Sequence, residues 1–299
     1  YLAVNHGYTH AVLLGIPVLI LGLVANDVGS RTELVGWFAL GGMVYGFGAF
    51  PAGWLAVKHP SETLAGGLAL AAIGLGLAAA LPERTGPALV ICGAGLAAYH
   101  PTGIALLAEI YPDGTGQALA RNGVGGNVGQ VAGPLLAATW PWVGPQGVLW
   151  VFAVAAVATL LLGLGTIPAP AGPPAQGRSV LLALLTLPVI ALETASALNG
   201  FAFRAVMVIT PLEVEDFLTL LGTTAENAAP TVALLIMVAT VAGIPGTLAA
   251  GRAIERKGAG PVIFIAALGV LAGVLLLAGG LTGALPGGLW LATVGMAIF

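Results

Sequence analysis

Charge is scarce in this sequence: only 7% of its 299 residues are Asp, Glu, Lys or Arg. A soluble domain needs about a quarter of its residues charged to cover its surface, so this chain does not stay dispersed in water. Cysteine is scarcer still. The single one, Cys92, sits in an apolar run, which excludes an intrachain disulfide scaffold and a thiolate zinc site. The nine basic residues are scattered and the formal net charge is −3, so no basic face exists to hold nucleic acid. What fills the sequence instead is apolar: 58% hydrophobic residues and a mean hydropathy of +1.02. Such a chain has the lipid bilayer as its solvent.

A hydrocarbon core about 30 Å thick takes about 20 apolar residues per helix. Ten stretches qualify: Leu2–Val24, Leu34–Val57, Thr63–Leu81, Ala88–Ile110, Ala118–Trp140, Val148–Ile167, Pro188–Leu212, Pro230–Ala250, Pro261–Leu281 and Gly287–Phe299, the last cut short. Apolar character before the seventh begins at Val180, which predicts a long tilted helix or an interfacial lead-in. The chain opens at Tyr1 inside one apolar segment and stops at Phe299 inside another, so we read it as part of a longer protein without a removable signal peptide.

The stretch from Pro168 to Gly177 carries four prolines and two glycines, which bars a helix. It divides residues 1–167, six expected spans, from residues 180–299, an incomplete second set, with 168–179 as a linker. Six helices, a linker and a second set is the layout of a transporter made of two halves. If the N-terminus is cytoplasmic, the inner loops hold Lys58, Arg121, Arg178, Arg252, Arg256 and Lys257, and the outer loops only Arg31 and Arg84. The positive-inside rule therefore places the N-terminus and the linker in the cytoplasm.

Two local patterns stand out. In the fifth stretch Gly125, Gly129 and Gly133 recur every four residues and Pro134 follows, making a smooth stripe beside a bend. This resembles the glycine-proline motif of proton-coupled antiporters in the major facilitator superfamily. The second pattern lies in the loops after the second and eighth stretches, where that superfamily carries a Gly-x-x-x-Asp-Arg-x-Gly-Arg signature. Here Gly251, Glu255, Arg256 and Gly258 match it with Glu for Asp, and Gly53 and Lys58 form a weaker copy with Val57 at the acidic position. The resemblance implies inner gates at matching places in two halves.

A closer resemblance, to the fosmidomycin-resistance branch, rests on His6-Gly-Tyr-Thr-His10, Tyr99-His100-Pro101, Gly125-Gly-Asn127 and Gly133-Pro134, with His10 where the branch has an acidic residue. It implies an all-α major facilitator fold of two six-helix bundles, the second truncated, so that about ten transmembrane helices are present. It further implies proton-driven export of a small molecule by a monomer, in a prokaryotic inner membrane.

Polar side chains inside spans cost several kcal/mol unless they meet a cavity or a partner. His6 and His10, four apart, share one helix face. Together with His100 they are expected to form one polar cluster with Glu193 opposite, and these four residues are the proton-coupling candidates. Asn122, Asn127, Gln130, Asn199, Arg204 and Tyr45 are candidates for lining the cargo path. Each amide has a plainer reading as an interhelical hydrogen bond worth about 0.6–2 kcal/mol, and Arg204 as a side chain snorkelling to headgroups. No cofactor or resident metal is expected, and no enzyme: the His pair has zinc-ligand spacing, but no Glu follows His6 as in a His-Glu-x-x-His protease. Transport of a divalent metal or a lipid by the same fold, and more remotely an intramembrane metalloenzyme, are the alternatives.

Overall fold

The computed structural model describes residues 1–166, 186–187, 209–220 and 222–257, with scattered positions between 260 and 276. All regular structure among these is helical. The helices are α1 (Leu2–Ala25), α2 (Arg31–Ala56), α3 (Pro60–Ala80), α4 (Thr85–Leu96), α5 (Tyr99–Ile110), α6 (Thr115–Ala137), α7 (Trp140–Gly163) and α8 (Ala225–Lys257). A further helical stretch, 209–220, precedes α8. The calls on residues 168–179, on Glu193, Asn199 and Arg204, on Gly258 and on the last stretch lie outside the described residues.

Local chemistry sets the boundaries. Ser30 caps α2 by accepting the Glu33 amide at 3.2 Å, and the Asn26 side chain donates back to the Gly22 carbonyl at 2.8 Å to close α1. Pro60 opens α3, where its missing N–H is not needed. One expected span, Ala88–Ile110, is two helices: Pro101 cannot donate to the Ala97 carbonyl, and the chain breaks at Ala97–Ala98 between α4 and α5. The sixth span, expected from Val148, begins slightly earlier: a short turn opening at Trp140 is interrupted at Gly144, whose φ of 74° and ψ of 155° are not helical, and the continuous part of α7 runs from Pro145 to Gly163.

Short connections make consecutive spans antiparallel. One end of the bundle, here the near face, holds Tyr1, the α2–α3 loop, the α5–α6 loop and the end of α7. The other, the far face, holds residues 26–30, 81–84 and the α6–α7 turn. Five units among the described residues are long and apolar enough to cross a membrane: α1, α2, α3, the α4–α5 pair and α7. The fifth expected span, α6, falls short of that measure, because Arg121, Asn122, Asn127, Gln130 and its glycines dilute it. It is nonetheless central. α6 packs along α1 more intimately than any other described pair of helices.

The apolar core runs through α1, α3, α4 and α7, with Val18, Leu19, Ile20 and Leu23 of α1 fully buried. Glycines bring backbones into contact at several seams, among them α2–α4, where a methyl on Gly93 would collide with the Gly41 carbonyl oxygen. Between α3 and α4, a methyl on Gly67 would fall 2.7 Å from the Gly95 carbonyl oxygen, and one on Gly74 would strike Cys92. Between α1 and α6, methyls on Gly125, Gly129 and Gly133 would collide with the carbonyls of Ala3, Gly7 and Ala11. In lipid, where no hydrophobic force drives helices together, this close approach supplies the dispersion contact that holds them.

Candidate functional site

The near half of the α1–α6 seam carries the polar cluster. His100, in the first turn of α5, faces α1, so His6, His10 and His100 meet with ring centroids 4.7 Å (6–10), 5.2 Å (6–100) and 5.6 Å (10–100) apart. His6 Nδ1 lies 2.8 Å from the backbone carbonyl oxygen of Asn122. A carbonyl only accepts, so Nδ1 carries the proton and neutral His6 presents a bare lone pair at Nε2. That Nε2 is buried without a hydrogen-bond partner among the described residues.

A second ring of groups fixes this arrangement. Tyr99 stacks on His6 at 5.0 Å with 18° between planes. Its hydroxyl lies 2.6 Å from Asn122 Oδ1 and 2.9 Å from the Leu2 carbonyl, and donates its one proton to either. Gly126 lies beneath the His6 ring, where a methyl would sit 2.8 Å from it. Gln130 Nε2 is 3.5 Å from His10 Nδ1, a long contact, and the Tyr45 ring stands 6.3 Å from His100, edge on. Asn5 donates to the Tyr1 hydroxyl at 3.2 Å on the same side of α1.

Of the residues singled out from sequence, the structure thus brings together His6, His10, His100, Asn122, Gln130 and Tyr45. Asn127 is half-buried on α6 and makes no hydrogen bond among the described residues. Gly125, Gly129, Gly133 and Pro134 form the tight crossing with α1, and Pro134 leaves the Gln130 carbonyl without its helical donor. Gly53, half-buried near the end of α2, and exposed Lys58 stand at the near face. The backbone of Gly251, Glu255 and Arg256 continues the last turns of α8.

Sequence reasoning missed three participants. Tyr99 and Gly126 stand inside the quoted motifs but were given no role there; they orient His6 through the contacts of α5 and α6 with α1. The third is an ion pair at the far face. Arg31, at the start of α2, forks onto Asp216 with Nη1–Oδ2 2.6 Å and Nη2–Oδ1 2.8 Å, and Nη2 also pairs with Glu215. Arg31 was noted in the sequence only for its bearing on topology.

The far half of α1 is therefore sealed by apolar packing and a charged clasp, while the cluster lies in its near half. Such a bundle, with a buried polar cluster at a helix seam and a clasp to a later helix, has the build of a membrane transporter. The Major Facilitator Superfamily model matches residues 10–299, and the chain belongs to that family. It is an integral membrane transporter, not an enzyme. Among solved structures it is similar to a bacterial homologue of the human lysosomal transporter Spinster in an inward-facing, unoccupied conformation, at 15% identity and TM-score 0.66, covering 99% of this chain and 71% of that one. It is similar also to the nucleoside transporter NupG, at 15% identity, TM-score 0.67 and coverage of 99% and 77%. The inward-open xylose transporter XylE from E. coli matches at 16% identity, TM-score 0.62 and coverage of 99% and 77%. At these identities the likeness establishes the fold. No curated protein matches the chain.

Proposed function

We propose that the protein is a proton-coupled exporter of a small organic molecule, working by alternating access, and that His6, His10 and His100 carry the coupling. The observation behind this reading is the three-histidine cluster itself, held between α1, α5 and α6 by Asn122 and Tyr99. Imidazole titrates near pH 6.5 in water, so histidines beside a cargo path exchange protons across a modest gradient. Export, rather than import, is supported by the resemblance of the His6–His10, His100-Pro101 and Gly133-Pro134 motifs to the fosmidomycin-resistance branch. The distribution of basic residues supports a cytoplasmic near face, and the resemblance to the fosmidomycin-resistance branch supports a monomer of two halves in a prokaryotic inner membrane.

In this cycle the far clasp of Arg31 with Asp216 and Glu215 closes the outer gate while cargo enters from the near face. The α1–α6 seam is the pivot, because backbone contact along a glycine stripe lets two helices roll without side chains interlocking. The inner gate is formed by Gly53 near the end of α2 with Lys58 after it, and by the end of α8 with Gly251, Glu255 and Arg256. Asn122, Asn127, Gln130 and Tyr45 line the path; Asn199 and Arg204, as further lining residues, and Glu193, as a further proton carrier, lie outside the described residues.

The test uses full-length protein in liposomes with trapped pyranine and an imposed pH gradient, challenged with a panel of antibiotics and metabolites. Proton movement triggered by one compound and lost in both His10→Asn and His100→Asn supports the reading. Compound-triggered proton movement that survives both substitutions sinks the role of the histidines, and cargo movement indifferent to the gradient sinks the coupling.

A further inference from the structure

Edge-to-face packing accounts for the ring contacts among the three histidines. It does not account for a lone pair fixed in place, buried and given no donor. His6 Nδ1 is held by the Asn122 carbonyl at 2.8 Å, which leaves Nε2 bare and buried. One ring nitrogen from each of His6, His10 and His100 lies within 4.8 Å of the others. An imidazole whose second N–H is tied to a backbone carbonyl is the form in which histidine ligates metals, since that bond fixes both tautomer and ring orientation.

We propose that His6, His10 and His100 form a binding site for one divalent transition-metal ion of the zinc class, with a fourth position open. At a metal–nitrogen distance of 2.0–2.1 Å, tetrahedral ligand atoms stand about 3.3 Å apart. The rings reach that spacing by swings on the order of an ångström, which the half-buried His10 and His100 can make about their side-chain torsions. Among the described residues the cluster contains three neutral nitrogen donors and neither thiolate nor carboxylate. That donor set selects Zn²⁺, Co²⁺, Ni²⁺ or Cu²⁺ and rejects Mg²⁺ and Ca²⁺, which demand oxygen ligands. Three neutral ligands leave the ion its full charge, so the open position favours an anionic donor over water. The site does not depend on proton coupling: metal and proton compete for the same lone pairs, and either can occupy them without the other driving transport.

The chain has four histidines, and the fourth, His59, is exposed in the α2–α3 loop, which supplies an internal control. Full-length protein in lipid nanodiscs, carrying an affinity tag without histidine, is stripped of metal and titrated with Co²⁺. The expected result is one Co²⁺ per chain with tetrahedral ligand-field absorption, displaced by Zn²⁺ and not by Mg²⁺. His10→Ala and His100→Ala lower the affinity at least about tenfold, while His59→Ala leaves it unchanged. Should either alanine variant not fold, His10→Asn and His100→Gln take its place. Gly126→Ala, which pushes the His6 ring, weakens binding by roughly tenfold to hundredfold. Absence of saturable Co²⁺ absorption, binding that survives loss of His10 or His100 in folded protein, or binding lost in His59→Ala overturns the proposal.

Discussion

The α1–α6 and α3–α4 seams use the same device and differ in what it is for. Both let glycines bring two backbones together, Gly125, Gly129 and Gly133 in one, Gly67, Gly74 and Gly95 in the other. The α3–α4 seam is lined by Leu68, Ala71, Leu75, Leu89 and Cys92, all buried and apolar. The α1–α6 seam buries Asn122 and holds the histidine cluster. Apolar packing at a glycine crossing makes a scaffold. The same crossing with polar groups that nearly, but not fully, satisfy one another makes a place where protons, ions or cargo can bind. An incompletely satisfied polar group inside a membrane bundle is costly, and function is the ordinary reason a chain retains one.

The largest expected effect treats the seams alike. Gly129→Ala and Gly95→Ala each force backbones apart and should destabilise the protein by roughly 2–3 kcal/mol or more, seen as a lower Tm in detergent. Gly123→Ala, on α6 but with open space around it, should be neutral or slightly stabilising. Equal tolerance of Gly123→Ala and Gly129→Ala would break the claim of backbone contact.

The next pair separates the seams. His100→Ala should reduce proton-linked transport at least tenfold, about 1.4 kcal/mol, with little change in Tm. Leu75→Ala should do the reverse. Lipid tails are as apolar as leucine, so only the cavity part of the usual cost remains, roughly 1–2 kcal/mol of stability, with transport per folded molecule intact. A transport defect in Leu75→Ala as large as that in His100→Ala would erase the distinction.

A smaller effect lies at the far face. Arg31 and Asp216 are partly exposed, so their fork is worth about 1 kcal/mol. Arg31→Ala should shift the open–closed balance about fivefold, read by spin labels across the far face, and the swap Arg31→Asp with Asp216→Arg should restore it. Smallest is Gly144→Ala in α7, outside both seams. Its φ of 74° should cost about 1 kcal/mol in Tm measurements and leave transport alone.

Much of this was legible in the sequence because membranes punish exceptions. Apolar stretches of about 20 residues gave the helices, and His6 with His10 at i, i+4 gave two of the three histidines in the cluster. The family emerged from Gly133-Pro134 and the Gly251–Gly258 loop, and the comparison with known proteins supports it at that level. What was hidden depends on contact between distant segments. The interruption at Ala97–Ala98 follows from a single missing N–H at Pro101, and an apolar count does not register it. The short turn from Trp140 to the kink at Gly144 was hidden by Pro141 and Pro145, which read as a loop. Arg31 and Asp216 are 185 positions apart, so no local pattern joins them.

The central claim is that the cluster lies on a pathway that opens alternately to the two faces. A cysteine placed at Tyr45, beside His100, tests it without knowledge of the cargo, since native Cys92 is buried and should stay unreactive. Sealed vesicles of each orientation are treated with a membrane-impermeant thiol reagent, with and without Arg31→Ala. The account predicts modification chiefly from the near face with the clasp intact, and a gain of reactivity from the far face when it is removed. A cysteine there that reacts from neither side in either background would contradict it.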